Sequence, residues 1–144
     1  MLYGGNGLLE FQVARQGTPA FIAMIHPCLR CGACCAHFRV GLHWSEADPD
    51  LGGVVPVELT EKLDAHRLAM RGTWAERPHC IALEGKLGES ARCGIYERRP
   101  SVCREVEPSW ESGVPSTQCD KARVAHGLRP LTPQDWLDFA AATA

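Results

Sequence analysis

Eight cysteines stand out among the 144 residues: Cys28, Cys31, Cys34, Cys35, Cys80, Cys93, Cys103 and Cys119. Four of them fall between positions 28 and 35, a spacing that points several sulfurs at one centre. Adjacent Cys34 and Cys35 could pair with each other only through a strained bridge. Cys28-Leu29-Arg30-Cys31-Gly32 has the form of a metal knuckle: two thiolates converge from one turn, and the glycine tolerates a positive φ. Zinc takes four such ligands in a closed tetrahedron. Extended to Cys34, the same run opens like a bacterial ferredoxin motif, which requires a further cysteine four residues on and then proline. Those positions hold Phe38 and Arg39, so a ferredoxin run is excluded. Three ligands for an iron–sulfur cluster remain, and the rest must come from downstream. Eight thiolates could make two four-sulfur sites or one polynuclear site, and spacing leaves that choice open.

Other residues could assist. Arg92, Arg98, Arg99 and Arg104 crowd around Cys93 and Cys103 and could offset thiolate charge by hydrogen bonding to sulfur. Arg99 and Arg104 are the expected cofactor contacts, weighed against the plainer reading of a solvated basic face. His26, His37, His43, His66, His79 and His126 could each ligate a metal, with His79 the best placed beside Cys80, but eight cysteines already satisfy two tetrahedral sites. His126 before Gly127 suits the last turn of a helix. No glycine-rich phosphate loop and no His-Glu-x-x-His occurs, and Glu105, Glu107 and Glu111 read as surface acids.

Positioning these sulfurs requires short elements and tight loops. Phe38, Val40, Leu42 and Trp44 alternate, which predicts a strand over 37–44. Residues 57–71 read two ways. Leu59, Leu63, His66 and Met70 would share a helical face, whereas Leu68 and Met70 alternating with Arg67 and Arg71 predict a strand over 66–71, the reading adopted. Cys80-Ile81-Ala82-Leu83 and Arg92-Cys93-Gly94-Ile95-Tyr96 flank a glycine-containing connection and predict a hairpin. Pro100 starts a short helix over 100–106, which Pro108 ends. Ser116 or Thr117 caps a helix running to His126, with Gly127 left-handed beyond it. Thr132-Pro133 opens a last helix over 134–141. Residues 27–36 are expected as a metal-wrapping loop. Residues 1–23, rich in glycine and without period, are expected as a weakly ordered extension, leaving 24–144 as the metal-binding domain. The fold class is a small, loop-rich α+β single domain with short strands and C-terminal helices, organised around cysteine-bound metal.

Composition sets the outer bounds. Hydrophobic residues make up 45 % and charged residues 22 %, near globular averages, which excludes general disorder. Fifteen Lys and Arg against seventeen Asp and Glu leave no basic excess for a nucleic-acid partner. The longest apolar run, Phe21 to Ile25, is far short of a membrane span. The opening residues lack a basic cluster, and Glu10, Gln12, Arg15 and Gln16 interrupt any apolar core, so an export signal is not expected. Cytoplasmic, reducing conditions then favour metal over disulfides.

The ordered set Cys28-x2-Cys31-x2-Cys34-Cys35, Cys80, Cys93-Gly94-Ile95-Tyr96, Arg99-Pro100-Ser101-Val102-Cys103-Arg104 and Cys119 resembles the cysteine-cluster family of zinc- or iron-chelating proteins. The likeness covers roughly 24–132, and Trp110, Asp120 and Ala125-His126-Gly127-Leu128 resemble its compact bacterial branch. The resemblance implies a bacterial cytosol and a metal on the cysteines, either zinc or an iron–sulfur cluster. The ferredoxin-like opening tilts the expectation slightly to iron–sulfur. Iron–sulfur implies redox or cluster-assisted chemistry, such as that of an oxidoreductase, on an unknown protein or small-molecule partner. Zinc implies a structural module for protein–protein interaction. An exchangeable site would instead make a metal chaperone or store.

Overall fold

The structure, a computed structural model, describes residues 24–144; the expected N-terminal extension lies outside the described residues. The chain is a mixed α+β assembly of short pieces. Helix α1 (Cys28–Cys31) leads into a 3-10 turn at Cys34–Ala36 and strand β1 (Gly41–His43). Further 3-10 turns at Trp44–Ala47, Pro49–Leu51 and Val57–Leu59 precede β2 (Thr60–Lys62) and β3 (Arg67–Met70). Then come β4 (Leu83–Glu84), β5 (Arg92–Cys93), a 3-10 turn at Tyr96–Arg98, α2 (Ser101–Arg104), α3 (Thr117–Ala125) and α4 (Pro133–Thr143). No helix among the described residues is long and apolar enough to cross a membrane.

The strand predicted over 37–44 shrinks to three residues. Val40 and Leu42 do point inward, but His43 Nδ1 accepts from the Ser45 backbone N–H at 3.3 Å and turns the chain into a 3-10 segment at Trp44. At the other end Phe38 packs against a different apolar cluster. In the ambiguous segment the strand reading holds: β3 sits between β1 and β2, antiparallel to both, with Leu42 opposite Leu68 and Thr60 opposite Met70. Asp64 Oδ1 accepts from the His66 and Arg67 backbone N–H groups at 2.9 and 2.8 Å, which shapes the β2–β3 turn.

The predicted hairpin forms with two residues per strand, Leu83 facing Cys93. Cys80 and Ile81 stay outside it because their N–H groups donate to Cys35 O and Arg71 O, at 2.8 and 2.9 Å. The expected loop over 27–36 is instead a helical turn and a 3-10 turn, joined at Gly32 with φ +70°. Helix α2 is shorter than predicted, and its first turn is capped from a distance. The Glu46 carboxylate accepts from Ser101 N–H at 2.7 Å and from Ser101 Oγ–H at 3.0 Å.

The C-terminal helices match their signals. Ser116 Oγ accepts from Cys119 N–H at 3.4 Å to start α3, and Gly127 follows it with φ +72°. Thr132 and Asp135 form a reciprocal capping box at α4, with Pro133 in the first turn. Apolar packing divides into two small clusters. One gathers Val40, Leu42, Val55, Met70, Cys80 and Ile95; the other gathers Cys31, Ala33 and Ala122, with Phe38 and Leu128 against them.

Candidate metal centre

Short local elements deliver the cysteines, singly or in pairs. Cys28 and Cys31 stand one helical turn apart on α1, so their side chains share a face. Gly32 then reverses the chain so that Cys34 and Cys35 open the following 3-10 turn. The Cys80 N–H bond to Cys35 O fixes those two residues together. Cys93 ends β5, Cys103 sits on α2, and Cys119 lies in the first turns of α3. All eight border one cavity of about 220 Å3, whose wall is otherwise mainly apolar and includes Ala33, Val40, Met70, Ala82 and Ile95. None of them is disulfide-bonded.

Burial and mutual crowding raise Cys28, Cys34, Cys35, Cys80, Cys93, Cys103 and Cys119 and favour their protonated form when no metal is bound. Burial, and then the neighbouring thiols of Cys31, Cys119 and Cys34, push Cys28 far above the ordinary thiol range. Cys34 is pushed up to about 12 by burial and by Cys119, Cys31 and Cys103, with Arg123 opposing. Cys35 rises through burial and through Cys80, Cys93, Cys103 and Cys34. Cys103 is pushed up to about 12 by burial, Cys80 and Cys93, with Arg99 opposing. Burial also raises Cys80, Cys93 and Cys119. A bound cation would reverse this balance, because its charge offsets the cost of burying thiolate.

The arginines sort differently from the sequence expectation. Arg99 lines the cavity, held by its Nε–H bond to Tyr96 O at 2.7 Å and by stacking 3.8 Å over the Tyr96 ring. Arg104 and Arg98 are exposed and outside the cavity wall. Arg92 is also exposed and lies 3.6 Å from Glu84. The residue missed is Arg123, whose Nη1 donates to Cys31 Sγ at 3.1 Å and whose Nε donates to Arg129 O at 2.7 Å. It lies one turn beyond Cys119 on α3, but its sulfur partner is on α1, 92 residues away in the chain.

No histidine borders the cysteine cavity. His79 is exposed and lines a separate, shallow pocket with His37 and His126. His126 Nε2 lies 2.8 Å from Ala36 O. His26 accepts from Cys28 N–H at 3.2 Å and pairs with Glu111 at 2.9 Å, bracing α1 rather than facing the sulfurs.

The donor set fits a metal group. Eight thiols, three of them buried and five half-buried, with no carboxylate in the cavity wall, form a soft ligand field, suited to zinc or iron–sulfur and not to magnesium or calcium. Among the described residues no three ligand side chains are drawn together tightly enough to grip a bare ion as they stand. The thiols instead ring a space that one ion would fill only in small part.

A loop-rich α+β fold with a cavity walled by cysteines defines a metal-chelating domain. The chain belongs to the family described as "putative zinc- or iron-chelating domain", whose pattern matches residues 27–120. It is 49 % identical over 107 residues to "Uncharacterized protein YkgJ" of Escherichia coli O157:H7, covering 74 % of this chain and 97 % of that protein. It is 44 % identical over 110 residues to a protein of Acinetobacter calcoaceticus named "Putative ferredoxin", covering 76 % and 82 %. Both relatives are bacterial. No solved structure matches the chain.

Proposed function

We propose that this protein carries iron–sulfur, with Cys28, Cys31, Cys34, Cys35, Cys80, Cys93, Cys103 and Cys119 as ligands, and that it passes electrons to or from an unidentified protein or small-molecule partner in a bacterial cytoplasm. The observation that carries this reading is the single cavity of about 220 Å3 bordered by all eight thiols. Such a space suits a polynuclear group better than an isolated ion. The ferredoxin name of one relative and the ferredoxin-like spacing of the first three cysteines support it. Eight unbridged cysteines suit a reducing compartment. When bound, the group supplies reversible one-electron chemistry. The chain's own residues exclude water with an apolar wall, set the sulfur positions and, through Arg99 and Arg123, place positive charge beside the thiolates.

Zinc is the second reading, favoured by the Cys28–Cys31 turn that ends on left-handed Gly32, the geometry of a zinc knuckle. It would make the protein a structural module or, with exchange, a metal store. Anaerobic purification followed by iron, sulfide and zinc analysis decides between them. Iron with equivalent sulfide, and absorption near about 400 nm that bleaches with dithionite, is the expected outcome. A colourless protein with stoichiometric zinc overturns the iron–sulfur reading.

A further inference from the structure

Resting on the reading that all eight cysteines take metal, we infer that they form two separate four-thiolate centres: Cys28, Cys31, Cys34 and Cys119 hold the first, Cys35, Cys80, Cys93 and Cys103 hold the second, and the Cys34–Cys35 peptide joins them.

Packing divides the sulfurs this way. Cys31 and Cys34 belong to the apolar cluster of Ala33 and Ala122, and Ala122 is on α3, the helix that carries Cys119. The Arg123 bond to Cys31 Sγ then ties α3 directly to α1. Cys80 belongs to the other cluster, against which Cys35, Cys93 and Cys103 pack. The Cys80 N–H bond to Cys35 O and the β4–β5 ladder draw that set together. Adjacent residues therefore serve opposite sides, because the 3-10 turn at Cys34–Ala36 sends consecutive side chains in different directions.

The electrostatic neighbourhoods agree. The thiols that crowd Cys28 are Cys31, Cys119 and Cys34, and those that crowd Cys103 are Cys80 and Cys93. The sets meet at their seam, where Cys34 feels Cys103 and Cys35 feels Cys34. Each set also has its own guanidinium. Arg123 acts on Cys34 and Cys119, whereas Arg99 acts on Cys93 and Cys103. Loading breaks eight S–H bonds and forms eight metal–sulfur bonds, with the protons released to solvent. Four thiolates around a zinc ion or a 2+ cluster leave a formal dianion in each set, and one arginine stands beside each.

The test compares Cys119→Ala, Cys103→Ala, the within-set pair Cys28→Ala/Cys119→Ala and the cross-set pair Cys119→Ala/Cys103→Ala. Each is reconstituted anaerobically with iron and sulfide, and separately with zinc(II), and its metal content per chain is measured. Either single variant is expected to keep half of the wild-type metal. The within-set pair should lose no more than the single, and the cross-set pair should lose all of it. Loss of all metal in a single variant, or any different grouping, overturns the two-centre assignment. Wild-type protein that takes up neither metal overturns the metal reading itself, which is a distinct failure. Should an alanine variant not fold, Arg123→Gln and Arg99→Gln leave every ligand in place. The dithionite-reduced paramagnetic spectrum of the iron-loaded protein should then change in one component for Arg123→Gln and in the other for Arg99→Gln. A single spectral component altered by both variants would equally defeat the assignment.

Discussion

Gly32 is the residue on which the first sulfurs turn. Its φ is +70°, and a Cβ built there would meet Ala91 Cβ at 2.5 Å, so alanine meets both a left-handed backbone and the neck of the β4–β5 hairpin. Gly32→Ala should cost about 2–4 kcal/mol. Urea unfolding of the metal-loaded protein checks this, and a change smaller than about 0.5 kcal/mol would contradict the close approach. The value of glycine here was legible, since Cys-x2-Cys-Gly announces a turn needing positive φ. The gathering of the eight cysteines round one cavity was legible for the same reason, in residue type and spacing. Arg123 was not, because its role depends on how α3 lies against α1, which no local pattern encodes. Arg104 misled through proximity in sequence to Cys103; a helix turns neighbouring side chains about 100° apart, and this one is exposed.

Among the elements, α4 has the best-defined beginning. Arg129 donates to Asp135 through two nitrogens, at 2.8 and 2.6 Å, and Thr132 N–H donates to Asp135 Oδ2 at 2.8 Å. Burial alone would raise this carboxyl, but Arg129 and Thr132 outweigh it and hold it at about 2. A pKa depressed on folding gives stability that is full above the unfolded value, about 4, and is lost as pH falls toward the folded value. Arg129 is largely exposed, so solvent screening limits the contribution to about 1 kcal/mol. The melting temperature of Asp135→Asn should therefore lie below wild type at neutral pH, with the gap closing as pH falls from about 4 to 2. A constant gap would show that the carboxylate charge is not what stabilises the helix start. Helices with such caps could be read in advance, because Thr-Pro followed by an acid satisfies the free N–H groups locally. Strands of two to four residues could not be bounded. Their ends are set by distant partners, as when His43 turns the chain or Cys80 bonds Cys35.

Across the molecule, the described residues form little apolar core to rely on. Its two clusters are built largely from alanine, valine and cysteine, and the cysteines line the same cavity that separates them. Structural metal binding can supply on the order of 10 kcal/mol, enough to dominate so small a core. Removing metal with a chelator and reductant should lower hydrogen-exchange protection across 28–35 and 80–103 while leaving α4 less affected. Unchanged protection after verified metal loss would mean that side-chain packing alone holds the domain. The order of the ligands along the chain adds a consequence in time. In the proposed division every sulfur of the second set lies between Cys34 and Cys119, which would nest one centre inside the other like an inner bracket. The inner sulfurs all leave the ribosome before Cys119 does. Assembly thus has a direction. At limiting metal, a thiol-alkylating reagent followed by mass spectrometry should find Cys119 modified while Cys80 is protected. On that proposal the inner site fills first, and α3 arrives last, as a latch.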